Sequence, residues 1–254
     1  MNKLTVYCFA AVLLLTGCTP AEVRDQQAVE IGQHQAVTPV ARNTDWWMPR
    51  HEANIERIKL GDIDILMIGD SITHGWERVG KSIWQMFYAD RNAVNMGFSG
   101  DKTEHVLWRL GDIDFSATTP KLAVLMIGTN NSGDSYSSTQ IADGIVAITR
   151  LLRRKLPDTR VLILNVFPRG TGTRDIRKNL GNSITIGPQW LKVNEASRLA
   201  AKQVADNEWV YFLDINARFL NKEGVLSRDI MPDLLHLSEK GYAIWAAAME
   251  PTIK

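Results

Sequence analysis

The chain has 254 residues and a formal net charge of +1, with 45% hydrophobic and 22% charged residues. This length suits one domain of about 200 residues and a short additional segment. The balanced charge gives no indication of a nucleic-acid partner, because it includes no large basic excess. After the N-terminal region, no apolar run approaches the ~18 residues that a membrane span needs.

The first 18 residues have the pattern of a bacterial export signal. A basic start, Met1–Lys3, precedes an apolar stretch, Leu4–Leu15, and the segment ends in Leu-Thr-Gly-Cys at Cys18. A short apolar core followed by small residues is typical of a secretory signal rather than of a membrane span. The ending resembles the lipobox of bacterial lipoproteins, which implies cleavage before Cys18 and lipid attachment to its sulfur. An ordinary secretory signal that is cut nearby is the alternative.

This interpretation predicts three segments. Residues 1–17 are the signal peptide, residues 18–43 are a lipid-anchored flexible tether because they are polar with little periodicity, and residues 44–254 are the folded domain. The expected location is the bacterial cell envelope, at an outer membrane that faces the periplasm or at the cell surface. Cys8 would leave with the signal and Cys18 would carry lipid, so the exported chain would have no free thiol and no disulfide.

Within the folded domain, strand and helix patterns alternate. Short apolar runs predict strands at 63–68, 93–96, 122–127, 161–166 and 210–213. Helical patterns occupy residues 48–60, about 80–88, 102–110, 139–156, 190–206 and 238–249. Such alternation is typical of βαβ units, which form a parallel sheet with helices on both faces. We therefore predict a doubly wound α/β fold with five parallel strands.

Glycine and polar residues collect after each predicted strand, where sheets of this kind bind their ligands. Ser71, at the end of the apolar run 63–68, is the most informative of them. It is either a nucleophile on the rim of the sheet or an N-cap of the following helix, a position that serine favours. The segments that follow the five strands are Gly69–Ser71, Gly97–Asp101, Gly128–Asn131, Phe167–Gly170 and, after a longer connection, Asp233–His236.

These residue types can perform acyl transfer, which needs a nucleophile, a base, a group that orients the base and donors for the oxyanion. Ser71 is the candidate nucleophile, and His236 is the candidate base because neutral imidazole accepts a proton near pH 7. Asp233 is the candidate orienting group, with Asp229 as the alternative. The candidate oxyanion donors are the backbone N–H groups of Ser71 and Gly100 and the side-chain amide of Asn130.

Four blocks in this order resemble those of the GDSL (SGNH) hydrolases. They are GDS at 69–71, GFSGD at 97–101, GTNN at 128–131 and DLLH at 233–236. HVLWRL at 105–110 and FPRG at 167–170 further resemble the branch that contains the α subunits of platelet-activating-factor acetylhydrolase.

The resemblance implies a flavodoxin-like three-layer α/β/α sandwich and a serine esterase that acts on short acyl esters, with acetyl esters and O-acetylated carbohydrates foremost. It assigns Ser71, Asp233 and His236 to a catalytic triad, and Ser71, Gly100 and Asn130 to the oxyanion hole. Residues 44–254 would then be the hydrolase domain. A phospholipid or lysophospholipid acylhydrolase, and a non-catalytic glycan-binding lipoprotein on the same fold, are the alternatives.

Other residues at the same rim are expected to line the substrate cleft. The segment 170–190 is longer than the corresponding loop of that branch, and it is predicted to form part of the cleft wall. A surface insertion of no consequence is the alternative for this loop. The further residues expected at the cleft are His74, Trp76, Asn131, Arg169 and Trp190.

The sequence gives no indication of a cofactor or a metal ion. HEANI at 51–55 lacks the second histidine of a zinc-binding helix, and no Gly-x-x-x-x-Gly-Lys phosphate loop occurs. The absence of a Gly-x-Ser-x-Gly motif argues against the lipases of the α/β-hydrolase fold. The expected partners are a small ester or acetylated glycan and, through Cys18, the membrane.

Overall fold

The computed structural model describes residues 31–170, 183–184 and 187–253. The predicted signal peptide, Cys18 and most of the loop 170–190 lie outside the described residues. Every helix within these ranges is too short or too polar to cross a bilayer.

Five short strands form a parallel sheet, as the alternating pattern predicted. They are β1 (Ile65–Gly69), β2 (Ala93–Gly97), β3 (Leu122–Met126), β4 (Arg160–Leu164) and β6 (Val210–Leu213), in the spatial order β2-β1-β3-β4-β6. In the register, Gly69 lies opposite both Gly97 and Met126. Strands β1, β2 and β3 therefore end at the same level, so the segments that follow them meet at one edge of the sheet. A small antiparallel pair, β5 (Ser183–Ile184) with β7 (Leu226–Ser227), was not predicted.

Helices cover the sheet. Helix α4 packs on α6, α6 packs on α7, and α3 packs on α8, which gives the layers of the predicted α/β/α sandwich. The eight helices of the described part are α1 (Trp47–Lys59), α2 (Ser71–His74), α3 (Lys81–Phe87), α4 (Thr103–Asp112), α5 (Thr129–Ser132), α6 (Ser138–Lys155), α7 (Pro188–Val204) and α8 (Glu239–Ile253).

The N-terminal boundary of the domain differs from the prediction. The compact unit begins at Ile31 rather than at residue 44, so residues 31–43 are not part of a tether. Ala36 is fully buried, and its carbonyl accepts a hydrogen bond of 2.9 Å from the Thr103 hydroxyl. His34 Nε2 lies 3.0 Å from the carboxylate of Asp143. These contacts join a short irregular segment to α4 and α6, and such a segment has no periodicity that a sequence pattern could reveal.

Candidate active site

The turn between β1 and α2 fixes Ser71 at the edge of the sheet. Asp70 caps α2 by accepting the Ile72 N–H at 3.0 Å, and Ser71 is the first residue of that helix. Gly69 is required before it, because a Cβ at this position would lie 2.6 Å from the Met126 carbonyl oxygen. The tight passage out of the strand therefore positions the Ser71 hydroxyl, and Asp70 rather than Ser71 is the N-cap.

Ser71, His236 and Asp233 form a chain of hydrogen bonds. His236 Nε2 lies 2.9 Å from Ser71 Oγ, and His236 Nδ1 lies 2.6 Å from Asp233 Oδ2. The other carboxylate oxygen of Asp233 accepts the backbone N–H groups of Leu235 at 3.0 Å and of His236 at 2.6 Å. The structure thus brings together the three side chains predicted from the sequence, with the Ser71 hydroxyl and the Asp233 carboxylate on opposite ring nitrogens of His236. Asp229 contributes no contact to this chain.

The charges around His236 favour a basic imidazole. The hydrogen bond to Asp233 raises the pKa of His236 above 6.5, and burial opposes this effect. Burial alone would raise the pKa of Asp233, but its hydrogen bonds from His236 and Leu235 outweigh burial and lower the pKa below 3.8. Near neutral pH the pair is therefore an ionised carboxylate that orients an imidazole able to accept a proton.

Gly100 and Asn130 stand beside Ser71 in the same cleft. Asn130 Nδ2 donates to the Asp101 carbonyl at 2.8 Å, which holds the amide in place and leaves its second N–H group for a ligand. The Ser71 N–H is the first of α2 and has no acceptor within the helix. Together these donors can surround an oxyanion that forms on a carbonyl attacked by Ser71.

Gly100 has a reason to be glycine that the sequence did not show. Its φ is +80°, a conformation that residues with a Cβ rarely adopt. A Cβ would also lie 2.9 Å from Nη1 of Arg42, whose guanidinium covers Gly100 and donates to the Ser99 carbonyl at 2.6 Å. Arg42 therefore occupies the side of Gly100 on which a Cβ would stand.

A cleft of about 630 Å³ opens onto Ser71 and His236. His74 lines this cleft, as expected; its Nδ1 lies 3.0 Å from Ser99 Oγ, and its ring lies 5.9 Å from that of Trp46. Burial, aided by the charge of Arg50, lowers the pKa of His74 to about 4, so its imidazole is neutral at physiological pH. The described residues that line the cleft are Arg42, Trp46, Ser71, His74, Arg78, Ser99, Gly100, Asn130, Leu235 and His236.

Two of the expected cleft residues lie elsewhere. Trp76 is buried in an aromatic cluster, 4.5 Å from Tyr242 and 4.9 Å from Trp245 between ring centroids. Asn131 is fully buried: its Oδ1 accepts the Thr103 N–H at 3.1 Å, and its Nδ2 donates to Thr103 and Glu104. The predictions for Trp76 and Asn131 are therefore wrong, because both side chains point into the core and satisfy packing or buried polar groups.

Arg169 and Trp190 are close to the site but outside the lining of the cleft. Arg169 Nη1 donates to the Thr129 carbonyl at 3.1 Å, so it ties the segment after β4 to the one after β3. Trp190 Nε1 donates to the Val166 carbonyl at 3.2 Å. Residues 171–182 and 185–186 of the predicted cleft wall, 170–190, lie outside the described residues.

Sequence reasoning missed five residues of the cleft lining. Arg42 and Trp46 belong to the segment before α1, where no motif marks them, and Trp46 is 40% exposed. Arg78 follows α2 and is exposed. Ser99 lies inside the GFSGD block and Leu235 inside the DLLH block, so their places beside Gly100 and His236 were the signals available in advance.

No group of three or more His, Cys, Asp or Glu side chains suited to a metal ion occurs in the part of the chain that the structure describes.

The profile of the GDSL-like Lipase/Acylhydrolase family matches residues 67–244. The chain is 34% identical over 197 residues to platelet-activating factor acetylhydrolase IB subunit alpha1 of Pongo abelii, which covers 78% of each protein. It is 31% identical over 199 residues to the alpha2 subunit of Rattus norvegicus, covering 78% of this chain and 80% of that relative.

Solved structures agree on the fold. A GDSL-like lipase from Bacteroides thetaiotaomicron aligns with a TM-score of 0.62 at 18% identity, over 81% of this chain and 96% of that one. An acetyl xylan esterase from Geobacillus stearothermophilus aligns with a TM-score of 0.53 at 20% identity, over 76% and 95%. The matched profile includes the segments that carry Ser71, Gly100, Asn130 and His236. The chain belongs to the GDSL-like lipase/acylhydrolase family and is a carboxylic ester hydrolase.

Proposed function

We propose that the protein is a serine esterase that hydrolyses short acyl esters, chiefly acetyl esters, through a triad of Ser71, His236 and Asp233. The hydrogen-bonded chain from Asp233 through His236 to Ser71 Oγ is the observation that carries this proposal. It opens into a cleft in which Gly100 and Asn130 stand beside the serine.

The proposed reaction has two halves. Ser71 Oγ attacks the ester carbonyl while His236 Nε2 accepts its proton, and the developing oxyanion is held by the N–H groups of Ser71 and Gly100 and by the Asn130 amide. His236 then gives the proton to the departing alcohol, which leaves an acyl group on Ser71. Water, deprotonated by His236, repeats the attack and releases the acid.

The names of the relatives support acetyl as the acyl part of the proposed substrate. Both curated relatives described above are acetylhydrolases, and the alignments to them cover more than three quarters of this chain. A structural neighbour is an acetyl xylan esterase, which makes an O-acetylated carbohydrate a reasonable alcohol part for this chain as well.

We also propose that the protein is exported and lipid-anchored through Cys18 in a bacterial cell envelope. The Leu-Thr-Gly-Cys ending of an apolar N-terminal segment supports this proposal. Mass spectrometry of the exported protein tests it: a diacylglycerol-sized mass on a chain that begins at Cys18 is expected. Cys18→Ser should remove that mass and leave the unprocessed chain, and a mature N-terminus elsewhere would contradict lipidation.

The hydrolysis of 4-nitrophenyl acetate, butyrate and octanoate tests the esterase, with Ser71→Ala beside the full-length protein. We expect turnover of the acetate to exceed that of the octanoate and to fall to the background rate in Ser71→Ala. Preference for octanoate would favour a phospholipid acylhydrolase instead. Equal background rates for both proteins, on these esters and on a panel of acetylated glycans, would favour a glycan-binding protein without catalysis.

A further inference from the structure

The cleft that opens onto Ser71 carries two arginines and no carboxylate among its described lining residues. Arg42 lies over Gly100, and Arg78 lies near His74. The remaining lining residues are neutral polar or apolar side chains, apart from the two histidines. A cleft lined in this way presents an excess of positive charge to whatever binds beside the nucleophile.

The carboxylates of Asp101, Glu77 and Asp233 lie near the cleft and each already has a partner, which for Asp233 is the ring of His236. Asp101 is fully buried and pairs with the equally buried Arg109, with 2.8 Å between Oδ2 and Nε. Glu77 forms a two-pronged ion pair with Arg50, in which Nη1 lies 2.8 Å from Oε2 and Nη2 lies 2.5 Å from Oε1. Arg42 Nη1 also pairs with Asp101 Oδ1 at 3.4 Å, so Asp101 is shared between two arginines, whereas Arg78 has no ion pair within the described residues.

Both arginines have donors to spare. Arg42 uses Nη1 for the Ser99 carbonyl and for Asp101, and its guanidinium is held against the Trp46 ring at 5.9 Å. Its Nη2 group faces Gly100, next to the proposed oxyanion site. Arg78 is exposed, and its side chain makes no hydrogen bond or ion pair within the described residues. A guanidinium with free N–H groups is suited to bind carboxylate or phosphate oxygens in a fork geometry.

Because an acetyl group is too small to reach across the cleft, any such anion must lie on the alcohol part of the ester. We propose that the enzyme selects esters whose alcohol carries an anionic group, a carboxylate or a phosphate, which Arg78 and Arg42 bind beside the reacting carbonyl. This proposal rests on the proposed esterase function of Ser71.

A matched pair of acetate esters tests the proposal on the full-length protein. 4-Acetoxybenzoate carries a carboxylate, and its methyl ester is neutral but otherwise alike. The measured quantity is the ratio of kcat/KM for the anionic ester to kcat/KM for the neutral one. Comparing this ratio between variants cancels the difference in intrinsic reactivity of the two esters.

Arg78→Gln should lower this ratio about tenfold, the scale of one lost hydrogen bond to a charged group. Arg78→Lys keeps the charge and should retain most of the preference, and added salt should weaken it in the unmodified enzyme. Arg218→Gln is the matched control, because Arg218 is an exposed arginine outside the cleft lining, and it should leave the ratio unchanged. Arg42 is left intact because its contacts to Ser99 and Asp101 give it a structural role as well.

Two anions distinguish the possible sources of the anionic group on the alcohol. Each is tested as a competitive inhibitor of the hydrolysis of the neutral ester. Stronger inhibition by galacturonate identifies an acidic sugar, and stronger inhibition by glycerol 3-phosphate identifies a phospholipid headgroup. In either case Arg78→Gln should relieve the inhibition.

If the ratio is the same in Arg78→Gln as in the wild type, the proposal is wrong. This holds whether the variant hydrolyses both esters at the wild-type rate or hydrolyses both more slowly by the same factor. Failure of the underlying esterase function is seen separately. If Ser71→Ala hydrolyses the neutral ester at the wild-type rate, the proposed serine mechanism is wrong, whatever the value of the ratio.

Discussion

The carboxylate of Asp233 binds His236 with both of its oxygens. Oδ2 lies 2.6 Å from the ring Nδ1, and Oδ1 accepts the backbone N–H of the same histidine at 2.6 Å. The turn between them includes Leu234 at a φ of +60°, a left-handed conformation that is costly for a branched residue. Leu234 is buried, and its carbonyl accepts the Gly170 N–H at 2.9 Å, so packing against the segment after β4 compensates the strain. The orientation of the imidazole is thus fixed by its own backbone.

The activity should fall in acid with a midpoint above 6.5. His236 acts as a base only when neutral, and its hydrogen bond to Asp233 raises its pKa above that value. As the pH falls through this raised pKa, the imidazole is protonated and kcat/KM declines. A pH profile of kcat/KM for 4-nitrophenyl acetate measures the midpoint, and a midpoint well below 6.5 would contradict the assignment of His236 as the base.

Asp233→Asn should reduce kcat by about four orders of magnitude, the scale known for the loss of this carboxylate in serine triads. The asparagine oxygen can still accept the two backbone N–H groups, so the turn should persist, while the ring loses its anionic partner. Because that partner raises the pKa of His236, the acid limb of the residual activity should move to lower pH. Steady-state kinetics from pH 5 to 9 reports both effects, and retention of wild-type kcat would reject the triad.

Asn130→Ala should lower kcat by about 10²–10³ with little change in KM, as expected for the loss of one oxyanion donor. The Asn130 side chain lines the cleft, and its only hydrogen bond within the described residues goes to the Asp101 carbonyl. The variant should therefore unfold at nearly the wild-type temperature. Unchanged kcat in a folded Asn130→Ala protein would exclude the amide from the oxyanion hole.

The neighbouring Asn131→Ala should have the opposite profile. Asn131 is buried and bonds to the Thr103 N–H and to Glu104, whose other oxygen accepts the Tyr136 hydroxyl at 2.5 Å. Its removal strips buried polar groups of partners and should cost about 3 kcal/mol in the free energy of unfolding. Urea unfolding gives the loss of stability, and kcat of the folded fraction should stay within about threefold of wild type. A large loss of kcat in Asn131→Ala without a loss of stability would mean that Asn131, rather than Asn130, acts in catalysis.

The features predicted from sequence are those encoded by short segments. Strand β1 and the turn to Ser71 follow from an apolar run that ends in Gly-Asp-Ser, and the Asp233–His236 contact joins residues three apart in sequence. The end of β1 lies at the carboxyl edge of the sheet, and the long connection between β6 and α8 carries Asp233 and His236 to it.

The errors concern contacts between distant segments. Trp76 follows Ser71 by five residues, but its burial depends on Tyr242 and Trp245 of α8. Arg42 reaches Gly100 across 58 residues of sequence, and neither position carries a pattern that refers to the other. Tertiary packing decides such positions, and one sequence without its fold does not specify them.

Asp70, the N-cap of α2, directly precedes the proposed nucleophile Ser71. Burial raises the pKa of Asp70 from 3.8 to about 6, although the Ile72 N–H and the charge of His236 oppose this effect. Between these two values the folded state binds more protons than the unfolded state, so the stability contributed by this group is present below pH 4 and is lost as the pH rises through about 6. At about 1.4 kcal/mol for each tenfold change in proton affinity, the loss reaches about 3 kcal/mol above pH 7.

Asp70→Asn keeps an acceptor for the Ile72 N–H and has no charge to bury. It should match the wild type near pH 4 and exceed it by up to that amount at pH 8. Urea unfolding of both proteins at the two pH values measures the difference, with Asp158→Asn as the control, because Asp158 is an exposed carboxylate outside the cleft lining and makes no side-chain hydrogen bond or ion pair within the described residues. A wild type more stable than Asp70→Asn at pH 8 would mean that the ionised carboxylate is stabilised where it lies, and that it acts on His236 as a charge rather than as a neutral cap.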